Sequence, residues 1–520
     1  MPKITLNGKD MDVAPGTTVI QAAIQAGLTV PHYCWHPALP VAASCRICQV
    51  EVLGPGPRRT ATACNLECAD GMSVLTDTPA VAKARAGNLE MLLLNHPLDC
   101  PICDKAGECW LQDYTYDYGA GVGRNEFERR KSEKRKPISD KVLLDQERCI
   151  LCTRCVRFMD SYAKKPELVV TARGEHSVID IFPDAPVTSD YQGNLADICP
   201  VGALTLSNFR FKNRVWWFKG TDSVCTLCSK GCSVTLDVRK NEINRVRPRT
   251  NEQNNGWFIC DVGRFELEDE FAPKERLKQV MVDGKPSDVA TAGARVASAL
   301  TRCAEAGGDV LVLASTQTTN EDLFALSELF AKANGTLARR TTLAFRKVEE
   351  HGPDGILRTG QNAANVAGLR ALGFAELSDA EIAKRFASGK VRAAWILDSR
   401  FTTLASDVDF LAVFVTGSPL ADCAHVVVPA QTVGEKDGTL TNAEGLTQRV
   451  RAALRAPQGV PGDLAALSAV ADGLGVTGMP KSAGDAFVAW SDRAGGQRLA
   501  LSELPQDGIR IAPMARETKS

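Results

Sequence analysis

Sixteen of the eighteen cysteines stand before residue 261, and the remaining 260 residues hold two. Packing alone does not call for such crowding. Thiols two or three residues apart have ligand spacing, and in a reducing compartment they bind metal rather than pair as disulfides. They fall in four groups: Cys34, Cys45 and Cys48 with Cys64 or Cys68; Cys100, Cys103 and Cys109; Cys149, Cys152 and Cys155 with Cys199; and Cys225, Cys228 and Cys232 with Cys260. Four ligand sets in a row can hold four metal clusters, and a row of clusters is a path for electrons.

A chain of 520 residues is too long for one ordinary core, so several domains are expected. With 61 basic and 62 acidic residues the net charge is −1, which gives no argument for nucleic-acid binding. No apolar run approaches the length of a membrane span. The opening MPKITLNGKDMDV lacks the apolar stretch of a signal peptide. A cytosolic protein is expected, meeting a membrane only through partners.

Residues 1–78 begin with the alternation Lys3-Ile4-Thr5-Leu6 and a turn at Asn7-Gly8, which predicts a hairpin. A short helix follows from Thr17 to Ala26, capped by Thr17 or Thr18 and ended by Gly27. Hairpin, helix and Cys-rich loop together predict a small α+β ferredoxin-like domain. Residues 79–118 start as a helix that His96-Pro97 ends before the second cysteine group. The glycines and charged run of 119–140 read as a solvated linker, with a docking surface as the sharper alternative. Residues 140–215 carry the third set and 218–274 the fourth. From 275 to 520 the chain is Cys-poor and rich in Ala, Val, Leu and Gly. Strand-like runs at 309–313 and 393–397 alternate with helical ones such as 320–333, an α/β pattern. No GxGxxG follows either strand, so dinucleotide binding is unsupported there. The tail from about 505 is expected to be loose. The fold class is therefore multidomain, α+β and then α/β.

Iron–sulfur clusters take four protein ligands, normally thiolates, most of them from one short loop. Cys34-x10-Cys45-x2-Cys48-x15-Cys64 has the order of a [2Fe–2S] loop with a lengthened first gap; Cys68 competes with the preferred Cys64. The second set supplies three thiolates, and His96, four residues before Cys100, is the candidate fourth ligand. Exchanging a thiolate for a neutral imidazole removes a negative charge and raises the potential, other things equal. Cys149-x2-Cys152-x2-Cys155 is a strong [4Fe–4S] signal completed by Cys199-Pro200. Met159 stands where a two-cluster ferredoxin would have its next cysteine. Cys225-x2-Cys228-x3-Cys232-x27-Cys260 repeats the triplet-plus-remote plan. Each set alone could be structural zinc; four together argue against it. Cys303 and Cys423 read as buried, inert thiols, and His32 and His36 as packing groups or tuners of the first cluster.

This order of sets resembles the iron–sulfur subunit family of NADH-quinone oxidoreductase, the respiratory complex I, represented by the G subunit in bacteria and by the 75 kDa subunit in mitochondria. The resemblance covers residues 1–274, and the set of one His and three Cys is its most specific element. More weakly, 275–520 resembles the molybdopterin-oxidoreductase fold, through Ala424-His425-Val426-Val427-Val428-Pro429-Ala430 and the stretch Glu435 to Gly445.

The resemblance implies a [2Fe–2S] ferredoxin-type domain (1–78), a one-His-three-Cys [4Fe–4S] domain (79–118), a ferredoxin-type [4Fe–4S] domain (140–215), a molybdopterin-oxidoreductase-type [4Fe–4S] domain (218–274) and a truncated molybdopterin-oxidoreductase-like domain (275–520). It implies one [2Fe–2S] and three [4Fe–4S] clusters and no catalytic residue. FMN and NADH would sit in a partner subunit, with further iron–sulfur subunits downstream. No molybdopterin is expected. The place implied is the cytoplasmic face of a bacterial inner membrane, because the mitochondrial form lacks the fourth set. That set is thought to lie off the main path. The alternatives are the iron–sulfur subunit of an NAD-linked formate dehydrogenase or hydrogenase.

Overall fold

A computed structural model describes residues 1–53, 58–183, 185–347, 352–404, 408–495 and 498–510. The chain divides into two units, 1–218 and 219–520, each described by itself.

The first unit opens with the predicted hairpin, Lys3–Leu6 against Lys9–Asp12. Asn7 and Gly8 both have positive φ (49° and 80°), as its tight turn requires. Ile4 and Leu6 alternate inward and are buried. The helix Val19–Gln25 is capped by Thr18 rather than Thr17, with Gln21 closing a capping box. Its Val19, Ile20, Ala22 and Ala23 pack onto a five-stranded sheet. The strand Gln49–Leu53 lies within that sheet, so the loop from 28 to 48 is anchored at both ends. Next, the helix Pro79–Leu93 starts on a Thr78 cap with proline in its first turn. Its buried Arg85 donates to the Gln49 carbonyl (2.9 Å), tying it to the first sheet.

Residues 119–140 are more than a solvated linker. Arg124 pairs with Glu90 (2.6 Å), and Lys134 with both Asp99 (2.6 Å) and Glu147 (2.7 Å). The acids lie far off in sequence, so the charge run alone does not reveal the strap. Beyond it, Val142–Leu144 pairs with Leu204–Leu206 and Lys136–Pro137. This small sheet brings the Cys199 loop back beside the Cys149 loop.

The second unit begins with three antiparallel strands, Lys219–Val224, Ser233–Arg239 and Glu242–Pro248. An eight-stranded sheet follows. Six of its strands are parallel, in the order Ala375–Leu377, Thr341–Arg346, Asp309–Ala314, Val391–Ile396, Phe410–Val415 and Val426–Pro429. In chain order this is 3-2-1-4-5-6, so connections depart in opposite directions between Asp309–Ala314 and Val391–Ile396. Both faces are covered. Val310, Val312, Trp395 and Phe414 belong to one core; Leu311, Leu313, Ile396 and Val413 belong to the other. Burial on both sides explains why these strands read as continuous apolar runs.

Three expectations need correction. Cys423 is exposed and Cys303 half-buried, so neither is the fully buried thiol expected. Cys423 directly follows the surface turn Pro419–Asp422. The tail is ordered as far as it is described: Ile509–Arg510 pairs with Leu446 and Thr447. Arg249 and Asn251 also donate to the Gln506 and Asp507 carbonyls. Residues 511–520 lie outside the described residues.

One buried acid makes the second unit pH-sensitive. Glu321 is fully enclosed, and burial pushes its carboxyl up to about 8, against the two hydrogen bonds it accepts from Thr439. The folded chain therefore holds a proton that the unfolded chain gives up above the usual carboxylate range. Stability should fall as pH rises from about 4.5 to about 8 and level off above. The upper bound on this loss is about 5 kcal/mol. Glu321→Gln should match the parent's thermal midpoint at pH 5 and exceed it by several degrees at pH 9. Parallel midpoint curves for the two proteins would refute the assignment.

Candidate functional site

Among the described residues, no group of three or more His, Cys, Asp or Glu is arranged to hold a metal ion. The cysteine sets are recognised instead by contacts among their thiols and by the backbone that carries them.

The first set converges. Cys34 is held well below the ordinary thiol range by hydrogen bonds from Cys45 and then Cys64. Cys64 is pushed above it by its contacts with Cys34 and Cys48. Cys48 is lowered, chiefly by Cys64. The four thiols therefore lie near enough to act on one another. Cys68 stands outside it: its thiol is raised by burial alone. The loop turns sharply at Ala43 and Arg46, both with left-handed φ (51° and 54°). Such conformations in non-glycine residues persist only where the surroundings enforce them. The Cys34 N–H also points at the Cys45 sulfur (3.4 Å).

The third set surrounds a void. Cys149, Cys152, Cys155 and Cys199 all line one small cavity of about 20 Å³, whose other walls include Leu144, Ile179, Val201 and Leu204. Leu151 and Thr153, between the cysteines, again have left-handed φ (51° and 59°). The Leu151 N–H points at the Cys149 sulfur (3.4 Å). Burial pushes the Cys149 thiol up to about 12 and Cys152 to about 11. Such thiols stay protonated unless a cation compensates their ionised form. An apolar chamber with four sulfurs in its wall fits an iron–sulfur cube.

The second set is the most open. Cys103 is buried, Cys109 half-buried and Cys100 exposed. His96 is half-buried, and burial followed by repulsion from Arg148 brings its imidazole down to about 4. It is neutral at physiological pH, the form that offers a lone pair to a metal. Among the described residues no hydrogen bond joins its ring to the three thiols. Arg148, buried between Asp99 (3.0 Å) and Asp145 (3.2 Å), supports this set from behind. Gly202, in the loop after Cys199, meets Cys103 so closely that a Cβ there would lie well inside van der Waals contact with the sulfur.

The fourth set lies in the second unit. The Cys225 N–H donates to the Cys232 carbonyl (2.8 Å), which closes the turn between the first two strands. Cys260 caps the helix Asp261–Phe265, its sulfur accepting the Gly263 N–H (3.3 Å). A Cβ on Gly263 would press on the sulfurs of Cys225 (3.2 Å) and Cys260 (3.6 Å). All four cysteines are buried, and burial pushes the Cys260 thiol up to about 11.

A cavity of about 190 Å³ opens at the carboxyl ends of the parallel strands, where the strand order reverses, with Thr226 of the fourth cysteine loop in its wall. This is where open α/β sheets bind ligands. Its ionisable lining is Asp269, Glu270, Asp322, Asp398 and Asp463 against Arg400 and Lys436. Lys436 is occupied by Asp322 (2.8 Å) and Asp463, and Arg400 faces Glu270 (3.4 Å). An acidic wall whose cations are already paired does not fit a pterin cofactor carrying phosphate groups.

Sequence reasoning singled out the cysteines and His96 as candidates but not Arg148, buried between Asp99 and Asp145, or Gly202, packed against Cys103. Their roles depend on contacts across the unit, and no spacing rule reveals them.

Family models match five stretches of the chain. Residues 2–79 match a 2Fe-2S iron-sulfur cluster binding domain, and 85–124 the NADH-ubiquinone oxidoreductase-G iron-sulfur binding region. Residues 139–205 match the ferredoxin-like domain of NADH-quinone oxidoreductase subunit 3. Residues 218–268 match the molybdopterin oxidoreductase Fe4S4 domain, and 336–472 molybdopterin oxidoreductase. The G subunit of NADH-quinone oxidoreductase from Rickettsia bellii is 42% identical over 265 residues, 51% of this chain and 38% of that protein. Its Streptomyces coelicolor counterpart is 42% identical over 264 residues, 50% of this chain and 31% of its own. The mitochondrial 78 kDa subunit of NADH-ubiquinone oxidoreductase from Candida albicans is 36% identical over 357 residues, 68% of this chain and 49% of its own. The chain thus spans about two fifths of the Rickettsia relative and half of the Candida one.

Proposed function

We propose that this chain, a homologue of the G subunit of NADH-quinone oxidoreductase, is an electron relay that carries electrons from NADH toward quinone. The observation that carries the reading is the convergence of the third thiol set, all four sulfur-bearing residues lining one apolar cavity, with the first set's thiols likewise acting on one another. Cys34, Cys45, Cys48 and Cys64 would hold a [2Fe–2S] cluster. His96, Cys100, Cys103 and Cys109 would hold a [4Fe–4S] cluster, as would Cys149, Cys152, Cys155 and Cys199, and likewise Cys225, Cys228, Cys232 and Cys260. These clusters supply one-electron chemistry. The chain's own residues ligate, bury and space them, and supply no acid or base.

The domain division follows the ligand sets: 1–78, 79–118, 140–215, 218–274 and 275–520. NADH would give two electrons to FMN in a partner subunit, which releases them singly. Further iron–sulfur subunits would deliver them to quinone, with proton translocation elsewhere in the complex. The acidic crevice supports a molybdopterin-like fold without its cofactor. Among the described residues no helix is long and apolar enough to cross a membrane, which suits peripheral attachment at the cytoplasmic face through other subunits.

The test is the full chain purified without oxygen. It should contain about fourteen irons per chain and, once reduced, give the low-temperature EPR signals of one two-iron and three four-iron centres. Zinc in the sites would overturn the reading, and stoichiometric molybdenum would move it to the formate dehydrogenases. His96→Ala should remove or convert the second centre, at a cost of about four irons at most, and leave the other three signals in place. Four unchanged signals would remove His96 from the ligand set.

A further inference from the structure

One buried and one half-buried arginine in the first unit have no acid to balance them. Arg154 is 2% exposed, directly before the third-set ligand Cys155. Its guanidinium donates to the Trp35 carbonyl (2.5 Å), one residue after Cys34, and to the Ile198 carbonyl (3.1 Å), one residue before Cys199. It lies over the ring of Trp110 (4.6 Å to the centroid), one residue after Cys109. One side chain thus touches residues adjoining ligands of the first, second and third sets. Arg157, one helical turn on, donates to the carbonyls of Cys34 (2.5 Å), Cys152 (3.1 Å) and Pro40.

Among the described residues no Asp or Glu forms an ion pair with either arginine. What the two guanidinium groups meet instead are backbone carbonyls of, or next to, Cys34, Cys152 and Cys199. Arg148, near the second set, shows the ordinary solution, with Asp99 and Asp145 as its own acids. An uncompensated buried charge costs several kcal/mol or more. The arginine pair is therefore built for a site whose negative charge arrives with thiolate-bound metal.

We infer that Arg154, assisted by Arg157, is a positioning residue that supplies the shared countercharge of the first and third centres and clamps their ligand loops together. This rests on the cluster assignment proposed above. Each reduction adds one electron to an anionic centre, and a fixed cation beside it stabilises the reduced form. In this low-dielectric surrounding the effect is large. The second centre touches Arg154 only through the Trp110 ring and has Arg148 with its two acids, so it should respond least.

EPR-monitored redox titration of the full, cluster-loaded chain tests this. Arg154→Gln should lower the reduced-to-oxidised ratio of the first and third centres at fixed ambient potential by roughly tenfold, equivalent to about 59 mV for one electron. The His96 centre should shift by less than about threefold, or 28 mV on that scale. Arg154→Lys, which keeps the charge but not the planar fork, should restore most of the potential; a purely structural role would make it as defective as the glutamine variant. Should Arg154→Gln fail to assemble, Arg157→Gln is the second variant, with the same two centres lowered by a smaller factor. Fully assembled Arg154→Gln protein with all ratios unmoved would overturn the inference. Absence of the two signals from the parent protein would instead sink the cluster assignment.

Discussion

Gly202→Ala should strip the second centre from the chain. Gly202 lies three residues after Cys199, and the Cys103 sulfur stands where a Cβ on Gly202 would have to go. A methyl group there cannot be absorbed by a flexible neighbour, because the obstructing atom is itself a proposed ligand. Lys105 Cβ (3.3 Å) and Arg148 Cδ (3.7 Å) close the other sides. Either the Cys103 thiol swings away from its partners or the loop bearing Cys199 retreats and loosens the third centre. Overpacking of this kind costs about 1–3 kcal/mol in ordinary cores, and here the strain falls on cluster ligation. We expect loss of most of the second-centre EPR signal, about four irons per chain, with the fourth centre intact. A variant with the parent's iron content and all signals would show that the two loops are not in obligatory contact.

Cys64→Ser should abolish the two-iron signal, while Cys68→Ser should leave it whole. The distinction is geometric. Cys34 and Cys48 both act on the Cys64 thiol and push it up, whereas Cys68 is buried with no thiol acting on it. Both sit in the same apolar cluster with Val19 and Ile20, so burial alone cannot tell them apart. Cys68 is held by its backbone, whose N–H donates to the Thr17 carbonyl (2.9 Å). Its thiol acts as a small apolar group, and serine there should cost about 1 kcal/mol of stability without touching the metal. Equal loss of signal in both variants would mean that Cys68 exchanges into the ligand set.

The element order of both units was largely legible. The Asn7-Gly8 hairpin, the short helix ended by Gly27, the strand at 309–313 and the helix from 320 follow from local preferences, and the chain builds them as read. The candidate ligands were legible for the same reason, since Cys-x2-Cys spacing is a property of a few neighbouring residues. The reading stopped where partners lie far apart in the chain. Arg124 finds Glu90, Gly202 finds Cys103, and Ile509 finds Thr447. Each first residue looks like linker, loop or tail until the fold brings its partner near. Cys423 failed for a related reason: residue type predicts burial on average, but the turn before it runs over the surface.

The sequence by itself determined that this chain carries four cysteine sets with ligand spacing, in a fixed order, ahead of a Cys-poor α/β region, because spacing and periodicity are local. Only the tertiary structure set Cys64, and not Cys68, among the other thiols of the first set. It also gathered the third set around one apolar chamber and brought two acid-free arginines to the junction of three ligand loops. Charge compensation and close packing act through space, and a buried guanidinium shows what it balances only when every group around it is in view.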